Sequence, residues 1–573
     1  MSIRFQFDEF VMKKVQRKMK LKFIKLYSLV ALIITVITIF TYYHVFVGNN
    51  NEFKSDVKLF DQLEIEESNS DLTLTRSEWF DKKSPSNCSL PINMDPFDPI
   101  IKSFIVNYNH DKFKCYDDIS PGVEEMLKLT NGQQLTSMND RDPIVVLKLP
   151  KKRHSVKCAY RPFELLEDYD LEYRAIEMIE GFSLNMKSTN SQFVAIKCIN
   201  GDEKVYNRIH SWPLKVSQLI EKKSSIPTVK SDQIKPSVLI LVLESTSRLN
   251  FERFMKQTSK SLNKLSSNFI LKGLNIFGDD TWKNMIPLLT GHHVSYGEWS
   301  NHVDEVGPFD DLDLIWKDFK RADYLTGYIE DYPSLGLFNL RKDGFLNPPT
   351  DWYPRAHWAQ MEFEMGYHKT NKCFGRQPKL TDWLKQVRQF VNLTSSSKLP
   401  YFLWSFLIEP LADNFNKIQY VDQQLADFIN IYSAQLEDTV FILMGDHGPR
   451  FGGQMTTEYG QYESRLPLFN IHLPKKLTKR HPHLAKYLTR NQNRLTTWLD
   501  VREILKDIAS GNYEELINSN EVKRAYSIWR QEVPFTRNCL QARIPSEYCS
   551  CRASNSGQVL QLSSLAVKKL RDH

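Results

Sequence analysis

The body of this chain carries almost no net charge. Of the +7 that the whole sequence holds at pH 7, residues 1–25 supply all but +1, through Arg4, Lys13, Lys14, Arg17, Lys18, Lys20, Lys22 and Lys25 against Asp8 and Glu9. A chain with so little excess charge beyond its first residues does not read as a nucleic-acid binder. Paired C-x-x-C knuckles are also missing. Cys549 and Cys551 are separated by one residue, so the cysteines do not read as a zinc module. There is no long-period repeat and no low-complexity tract, which excludes solenoids and compositional linkers as the main architecture. What remains is ordinary: 41% apolar and 25% charged residues, in a length of 573 that suffices for two or three domains.

Charge is absent altogether from Leu26 to Val47. Twenty-two helical residues reach about 33 Å, enough for a bilayer core of about 30 Å. No small-x-small cleavage site follows, since Tyr42, Tyr43 and His44 occupy that zone, so the segment reads as a retained signal anchor rather than a cleaved peptide. The basic cluster before it puts the N-terminus in the cytosol. The expectation is a single-pass type II membrane protein, with its bulk in the Golgi lumen or at the cell surface. All eight cysteines (Cys88, Cys115, Cys158, Cys198, Cys373, Cys539, Cys549 and Cys551) lie beyond the anchor, where disulfides form. Eight cysteines allow 105 connectivities, and the sequence selects none. Sequons at Asn87 and Asn392 are compatible with glycosylation on the same side.

The chain then divides into a basic tail (1–25), the anchor (26–47) and an acidic, polar stalk (48–86). A smaller accessory β-rich module, expected to be braced by disulfides, follows at 87–222, with short apolar runs such as Pro143 to Leu149 and Phe193 to Cys198 and no catalytic constellation. Lys222 to Pro236 reads as a linker. From 237 to 510, apolar strands at Ser237–Leu243, Tyr324–Ile329, Tyr401–Ile408 and Thr439–Met444 alternate with helical patterns near Leu312–Arg321 and Gln419–Gln435. That alternation predicts a doubly wound α/β domain with a mainly parallel sheet. A cysteine-containing segment, 511–573, closes the chain and is expected to clip back onto the core.

Three stretches carry chemistry. In Phe441-Ile442-Leu443-Met444-Gly445-Asp446-His447-Gly448, a buried strand runs into a turn bearing a carboxylate and an imidazole side by side. Both are good zinc ligands, and carboxyl ends of parallel strands are where open α/β sheets place ligands. The bland alternative is a solvated turn. In Val238 to Arg248, a second apolar strand delivers Glu244 at its end, which could equally cap a following helix or pair with Arg248. In Gly278 to Gly291, Asp280 or Thr281 caps an apolar helix. A metal against the Thr281 hydroxyl would make it a nucleophile, and free N–H groups at the helix start would hold an oxyanion.

Taken together, the stretches resemble the alkaline phosphatase and sulfatase superfamily, over about residues 237–510. More narrowly, the chain is similar to animal membrane proteins that carry the domain of unknown function 229. The similarity lies in LESTSRLNF (243–251), GDDTWKNMIPLLTG (278–291), GDHGPRFGG (445–453), ESRLPLF (463–469), RLTTWLDVREIL (494–505) and RNCLQARIPSEYCSC (537–551). The resemblance implies that Glu244, Thr281, Asp446 and His447 hold one divalent metal, zinc, with Thr281 as the nucleophile of phosphoryl transfer. Two departures stand out. The first acid is Glu where the wider superfamily more often has Asp, and Phe406 to Asn414, where a second metal site would lie, contains no histidine. The set resembles the one-zinc branch that transfers phosphoethanolamine or glycerol phosphate. A sulfatase proper is disfavoured, because Thr281 is not in a C/S-x-P-x-R context.

Weaker candidates for contact with a phosphorylated or other anionic substrate are Lys283, Asn284, Arg450, Arg355 and His357. The last two lie in the aromatic stretch Asp351 to Trp358, which reads equally as a cleft wall or a core patch. His292 and His293 read as an exposed helix-end pair, and Glu463, Arg465 and Pro467 as braces of the strand after the site. The function is thus expected to be that of a metal-dependent phosphoryl-ester hydrolase or phosphotransferase. The competing reading is a catalytically inactive sulfatase-like ectodomain that binds a partner or an anionic glycan.

Overall fold

The computed structural model describes residues 88–108, 156–168, 170–173, 177–179, 191–200, 203–224, 234–294, 306–365, 373–374, 377–397, 399–409, 411–412, 414–516 and 523–552. The basic tail, the anchor Leu26–Val47, the stalk, Pro143–Leu149 and the sequon Asn87 fall outside them. Among the described residues, no helix is long and apolar enough to cross a membrane.

Five strands form a small antiparallel sheet: β1 (Val156–Glu167), β2 (Asp170–Tyr173), β3 (Glu177–Ile179), β4 (Phe193–Asn200) and β5 (Glu203–Ser211). The large sheet has β6 (Ser237–Leu243), β7 (Asn268–Ile270), β8 (Leu325–Glu330), β11 (Tyr401–Leu407), β12 (Thr439–Gly445) and β13 (Phe469–His472). Between them in sequence, β9 (Cys373–Phe374) and β10 (Gln377–Pro378) make a two-stranded ribbon. The order in the large sheet is β7-β13-β12-β6-β11-β8. The four strands β12, β6, β11 and β8 are parallel, while β13 and β7 add an antiparallel edge. The sheet is therefore mixed, around a parallel centre.

Sequence dictates the layering. β6 reads Ser-Val-Leu-Ile-Leu-Val-Leu, with no polar alternation, because both of its faces are covered. Val238, Ile240 and Val242 enter one core with the helices Thr281–Thr290, Ile315–Arg321 and Trp498–Ser510. Leu239, Leu241 and Leu243 enter the other, with Arg248–Phe254, Lys256–Leu262, Lys379–Ser397 and Asp422–Ile431. Helices on both faces make the sheet doubly wound, as expected.

The small sheet docks on this domain through Phe193, stacked on Trp352, and through Asp168, which accepts from Asn339 Nδ2, the Phe345 N–H and the Tyr353 hydroxyl. Residues 523–552 fold back onto the core, as anticipated. Asp500 pairs with Arg537 at 2.7 Å and Asp507 with Arg530 at 2.6 Å, each pair buried. The disulfide Cys88–Cys551 staples the ends of the described chain together, Cys539–Cys549 closes a short loop within the C-terminal segment, and no cysteine is free among the described residues.

Candidate metal centre

Glu244 and Asp446 are placed by register. β12 and β6 are parallel with Gly445 opposite Leu243, so the residue after each strand end lies beside the other. Both carboxylates arrive at the carboxyl edge of the sheet, at 3% and 0% exposure. The glycines that frame Asp446 are required by close approach rather than by an unusual backbone. A Cβ on Gly445 would lie 2.1 Å from the Thr246 carbonyl oxygen, and one on Gly448 2.2 Å from that of Glu463. After Glu244 the chain turns into the helix Arg248–Phe254, which Ser247 caps by accepting from the Asn250 N–H.

Thr281 is the first residue of the helix Thr281–Thr290. Asp280 caps it by accepting from the Lys283 N–H, and Gly291 ends it at φ +82°. The helix start points at the carboxylates, and the Thr281 hydroxyl donates to Glu244 Oε2 at 3.3 Å. Thus the three stretches converge. One ligand atom from each of Glu244, Asp446 and His447 lies within 4.8 Å of the others. His447 Nε2 is 3.1 Å from Asp446 Oδ2 and 3.6 Å from Glu244 Oε1.

The electrostatics of the cluster are those of crowded, buried acceptors. Burial, and then the neighbouring Asp446, push the Glu244 carboxyl well above its usual range, with Arg450 partly opposing. Burial likewise lowers the His447 pKa, against the pull of Asp446. The imidazole is therefore neutral at pH 7, and its Nδ1 hydrogen donates to the Gly448 carbonyl at 2.7 Å, leaving Nε2 with its lone pair inward. Neither His447 Nε2 nor Asp446 Oδ2 has a hydrogen-bond partner, although both are buried. Orphaned buried acceptors on two adjacent residues, beside a second carboxylate and a hydroxyl, fit a divalent ion with mixed oxygen and nitrogen ligands.

The weaker candidates separate. Arg450 belongs to the site, its Nη2 lying 3.5 Å from Glu244 Oε1. Lys283 stands at the rim, its ammonium engaged by Asp279 at 2.8 Å and Asp280 at 3.3 Å, which raises its pKa. Asn284 is fully buried and braces the loop before Thr281. Its Oδ1 accepts from the Phe277 N–H and its Nδ2 donates to the Gly278 and Asp280 carbonyls. Its amide is spent inside the chain, so it holds the loop and does not face a substrate.

Arg355 and His357 form the core patch rather than a cleft wall. Arg355 donates to the Asp168 and Pro333 carbonyls, and burial pulls the His357 pKa down to about 3. Both sit on the helix Arg355–Met365, against β1, β5 and β8. Asn392 lies within the helix Lys379–Ser397, half-buried, with Thr394 of its sequon fully buried. The helix-end pair is not exposed as a whole, since His293 is buried edge-on against Phe277. Glu463 braces the turn and helix after β6 rather than the strand after the site, accepting from the Ser247 hydroxyl and from both Arg253 terminal nitrogens.

Two contributors carry no sequence signal. Ser245 hydrogen-bonds both carboxylates, and Tyr548, delivered by the stapled C-terminal segment, stands beside Asp279 at the rim. A serine after a strand and a tyrosine some 270 residues from the loop it meets are unremarkable until the chain is folded.

With this geometry in place, residues 120–571 match the family described as "Protein of unknown function (DUF229)", and the chain belongs to that family. No curated protein sequence matches it significantly. Among solved structures, it is similar to a protein in the alkaline phosphatase superfamily from Vibrio parahaemolyticus, at 14% identity and TM-score 0.29, covering 46% of this chain and 69% of that one. The C-terminal periplasmic domain of EcEptC from Escherichia coli, in complex with Zn, matches at 14% identity and TM-score 0.33, covering 50% and 85%. The lipoteichoic acid synthase LtaP from Listeria monocytogenes matches at 12% identity and TM-score 0.31, covering 45% and 72%. At such scores the likeness concerns chain path alone.

Proposed function

We propose that this protein is a metal-dependent phosphoryl-ester hydrolase or phosphotransferase that uses Thr281 as its nucleophile. One observation carries the reading: Thr281, Glu244, Asp446 and His447 meet at one buried point where Asp446 Oδ2 and His447 Nε2 have no partner. Glu244, Asp446, His447 and Thr281 would hold a single divalent ion, zinc. Bound there, the ion would supply Lewis-acid charge to a phosphoryl oxygen and lower the pKa of the threonine hydroxyl.

The chain's own residues do the rest. The Thr281 hydroxyl, already donating to Glu244 Oε2, gives up its proton to water as its oxygen attacks phosphorus in line with the leaving alcohol. The P–O bond to that alcohol breaks, and the alkoxide takes a proton from water and leaves as the alcohol. Backbone N–H groups at the start of the Thr281 helix, and Arg450, face the oxygens of the transferred group. Water, or a second alcohol, then attacks the phosphothreonine and restores the hydroxyl. Water gives hydrolysis, and an alcohol gives transfer.

The disulfides support placement in an oxidising compartment. With the apolar, uncharged run Leu26–Val47 behind a basic tail, they support a type II anchor and a lumenal or extracellular site.

Elemental analysis of the purified full-length chain, wild type beside Asp446→Ala, tests the reading. We expect one zinc per wild-type chain and none in the variant. A wild-type chain that stays metal-free in excess zinc would end the hydrolase reading.

A further inference from the structure

Ser245 touches both carboxylates of the candidate centre, and it does so from a backbone conformation that serine seldom adopts. Its φ is +54°, in the left-handed region that disfavours residues with a Cβ. It is 6% exposed, in the turn between β6 and the helix Arg248–Phe254. Its backbone N–H crosses to β12 and donates to Asp446 Oδ1 at 2.9 Å. Its hydroxyl folds back over its own strand end and donates to Glu244 Oε1 at 3.0 Å. One residue therefore occupies one oxygen of each carboxylate. The oxygens left over are Asp446 Oδ2, which has no partner, and Glu244 Oε2, which faces the Thr281 hydroxyl. Arg450 Nη2 stands against the same Glu244 oxygen that Ser245 holds, at 3.5 Å.

We infer that Ser245 is a positioning residue that restricts Glu244 and Asp446 to one ligand oxygen each and so sets the metal preference of the centre. The inference rests on the metal-centre reading above. Small tetrahedral ions such as zinc take one atom from each ligand. Larger oxygen-seeking ions reach coordination numbers of about 6–8, partly by chelating both oxygens of a carboxylate. A carboxylate with one oxygen already engaged by a neutral donor is biased toward the first mode. Partners of this kind commonly change metal affinity by about 10–100-fold when removed.

The test uses Ser245→Gly in the full-length chain. Glycine adopts positive φ without penalty and keeps the backbone N–H to Asp446, so only the hydroxyl on Glu244 is lost. Zinc and calcium affinities are read by chelator competition, ligand geometry by the visible absorption of the cobalt(II)-loaded protein, and folding by the unfolding midpoint without metal.

We expect zinc affinity to drop about 10-fold or more, with calcium affinity unchanged or higher. The intense cobalt absorption of a four-coordinate site should weaken toward that of a higher-coordinate one, with the metal-free midpoint preserved. Wild-type zinc affinity and an unchanged cobalt spectrum in the variant would overturn the inference. So would a parallel loss of both metals together with a lowered metal-free midpoint, which is what a purely structural serine would give. Ser245→Ala is the second variant, from which the same zinc-to-calcium ratio is read if the glycine variant does not fold. A wild-type chain that binds no metal sinks the metal-centre reading and this inference with it, whereas a metal-binding wild type with an unaltered variant sinks the inference alone.

Discussion

The parallel strands of one sheet end in two pairs of buried acids, and the pairs differ in what has become of their lone pairs. At the ends of β6 and β12, Ser245 takes one oxygen of each carboxylate, which leaves Asp446 Oδ2 without a hydrogen-bond partner and Glu244 Oε2 facing only the Thr281 hydroxyl. Two strands along the same edge, Asp331 follows β8 and Glu409 follows β11, at 1% and 5% exposure. There Asp331 accepts from the Ile408 and Glu409 backbone N–H groups at 2.6 and 3.2 Å, and Lys379 Nζ lies 2.5 Å from Glu409. Topology gathers carboxylates at this edge. Whether a pair can take an ion depends on how much of its hydrogen-bonding capacity the chain has already consumed. An ammonium held inside the second pair supplies the positive charge that an ion would otherwise bring, a physical reason beyond the missing histidine for reading the centre as one-ion.

The largest expected effect separates chemistry from binding at the open pair. Thr281→Ala removes the proposed nucleophile, and nucleophile deletions in covalent catalysis commonly cost on the order of 10⁴-fold or more in kcat. Turnover of chromogenic aryl phosphoesters should fall by that order, while elemental analysis still finds zinc. Undiminished turnover would remove Thr281 from the mechanism.

At the closed pair the corresponding loss is one of stability. Lys379→Met leaves Glu409 buried without its partner, a change that usually destabilises by about 3–5 kcal/mol. The side chains are 6% and 2% exposed, so solvent does little to soften it. Adding Glu409→Leu to that variant should restore most of the loss, because a buried ion pair replaced by apolar groups is often near neutral. Urea unfolding reads both, with zinc content unchanged throughout. A second zinc appearing in Lys379→Met would break the comparison, since it would show the closed pair to be a metal site that the lysine merely plugs.

The open pair was legible in the sequence and the closed pair was not. Asp-His-Gly after an apolar strand, an acid after Leu-Val-Leu, and Thr281 before an apolar helix each announce a strand end or helix start, and parallel register brings strand ends together. Nothing comparable marks Asp331, Glu409 and Lys379. Their meeting depends on β8 and β11 being neighbours and on where the helix Lys379–Ser397 begins, which are properties of the folded sheet. Arg355 and His357 show the limit from the other side. A dense aromatic stretch reads the same whether it lines a cleft or fills a core, and here the docking of the small sheet decides for the core. Asn284 sits one helical turn from Thr281, yet its amide serves the loop's own backbone, which spacing alone does not reveal. The antiparallel edge of β13 and β7 was equally hidden, because short apolar strands carry no mark of direction.

The smallest expected effect concerns how the closed pair responds to pH. Burial, and then the charge of Glu409, raise the Asp331 carboxyl to about 7 from its ordinary value near 3.8. Between those two values the folded chain keeps a proton that the unfolded chain has lost. Stability attributable to this group is therefore fully present below about 3.8, declines as pH rises toward about 7, and is flat beyond. One proton corresponds to a slope of at most about 1.4 kcal/mol per pH unit. Asp331→Asn cannot titrate, and its amide meets one of the two backbone donors badly, which costs about 1–3 kcal/mol at every pH. The variant should thus be less stable than wild type at pH 5, and the gap should narrow by pH 8 as the wild-type carboxyl ionises. Urea midpoints of both proteins at the two pH values measure this. A gap that stays constant would mean that Asp331 is already charged at pH 5, with Lys379 and the two N–H groups neutralising it fully. The closed pair would then be held shut by charge rather than by a shared proton.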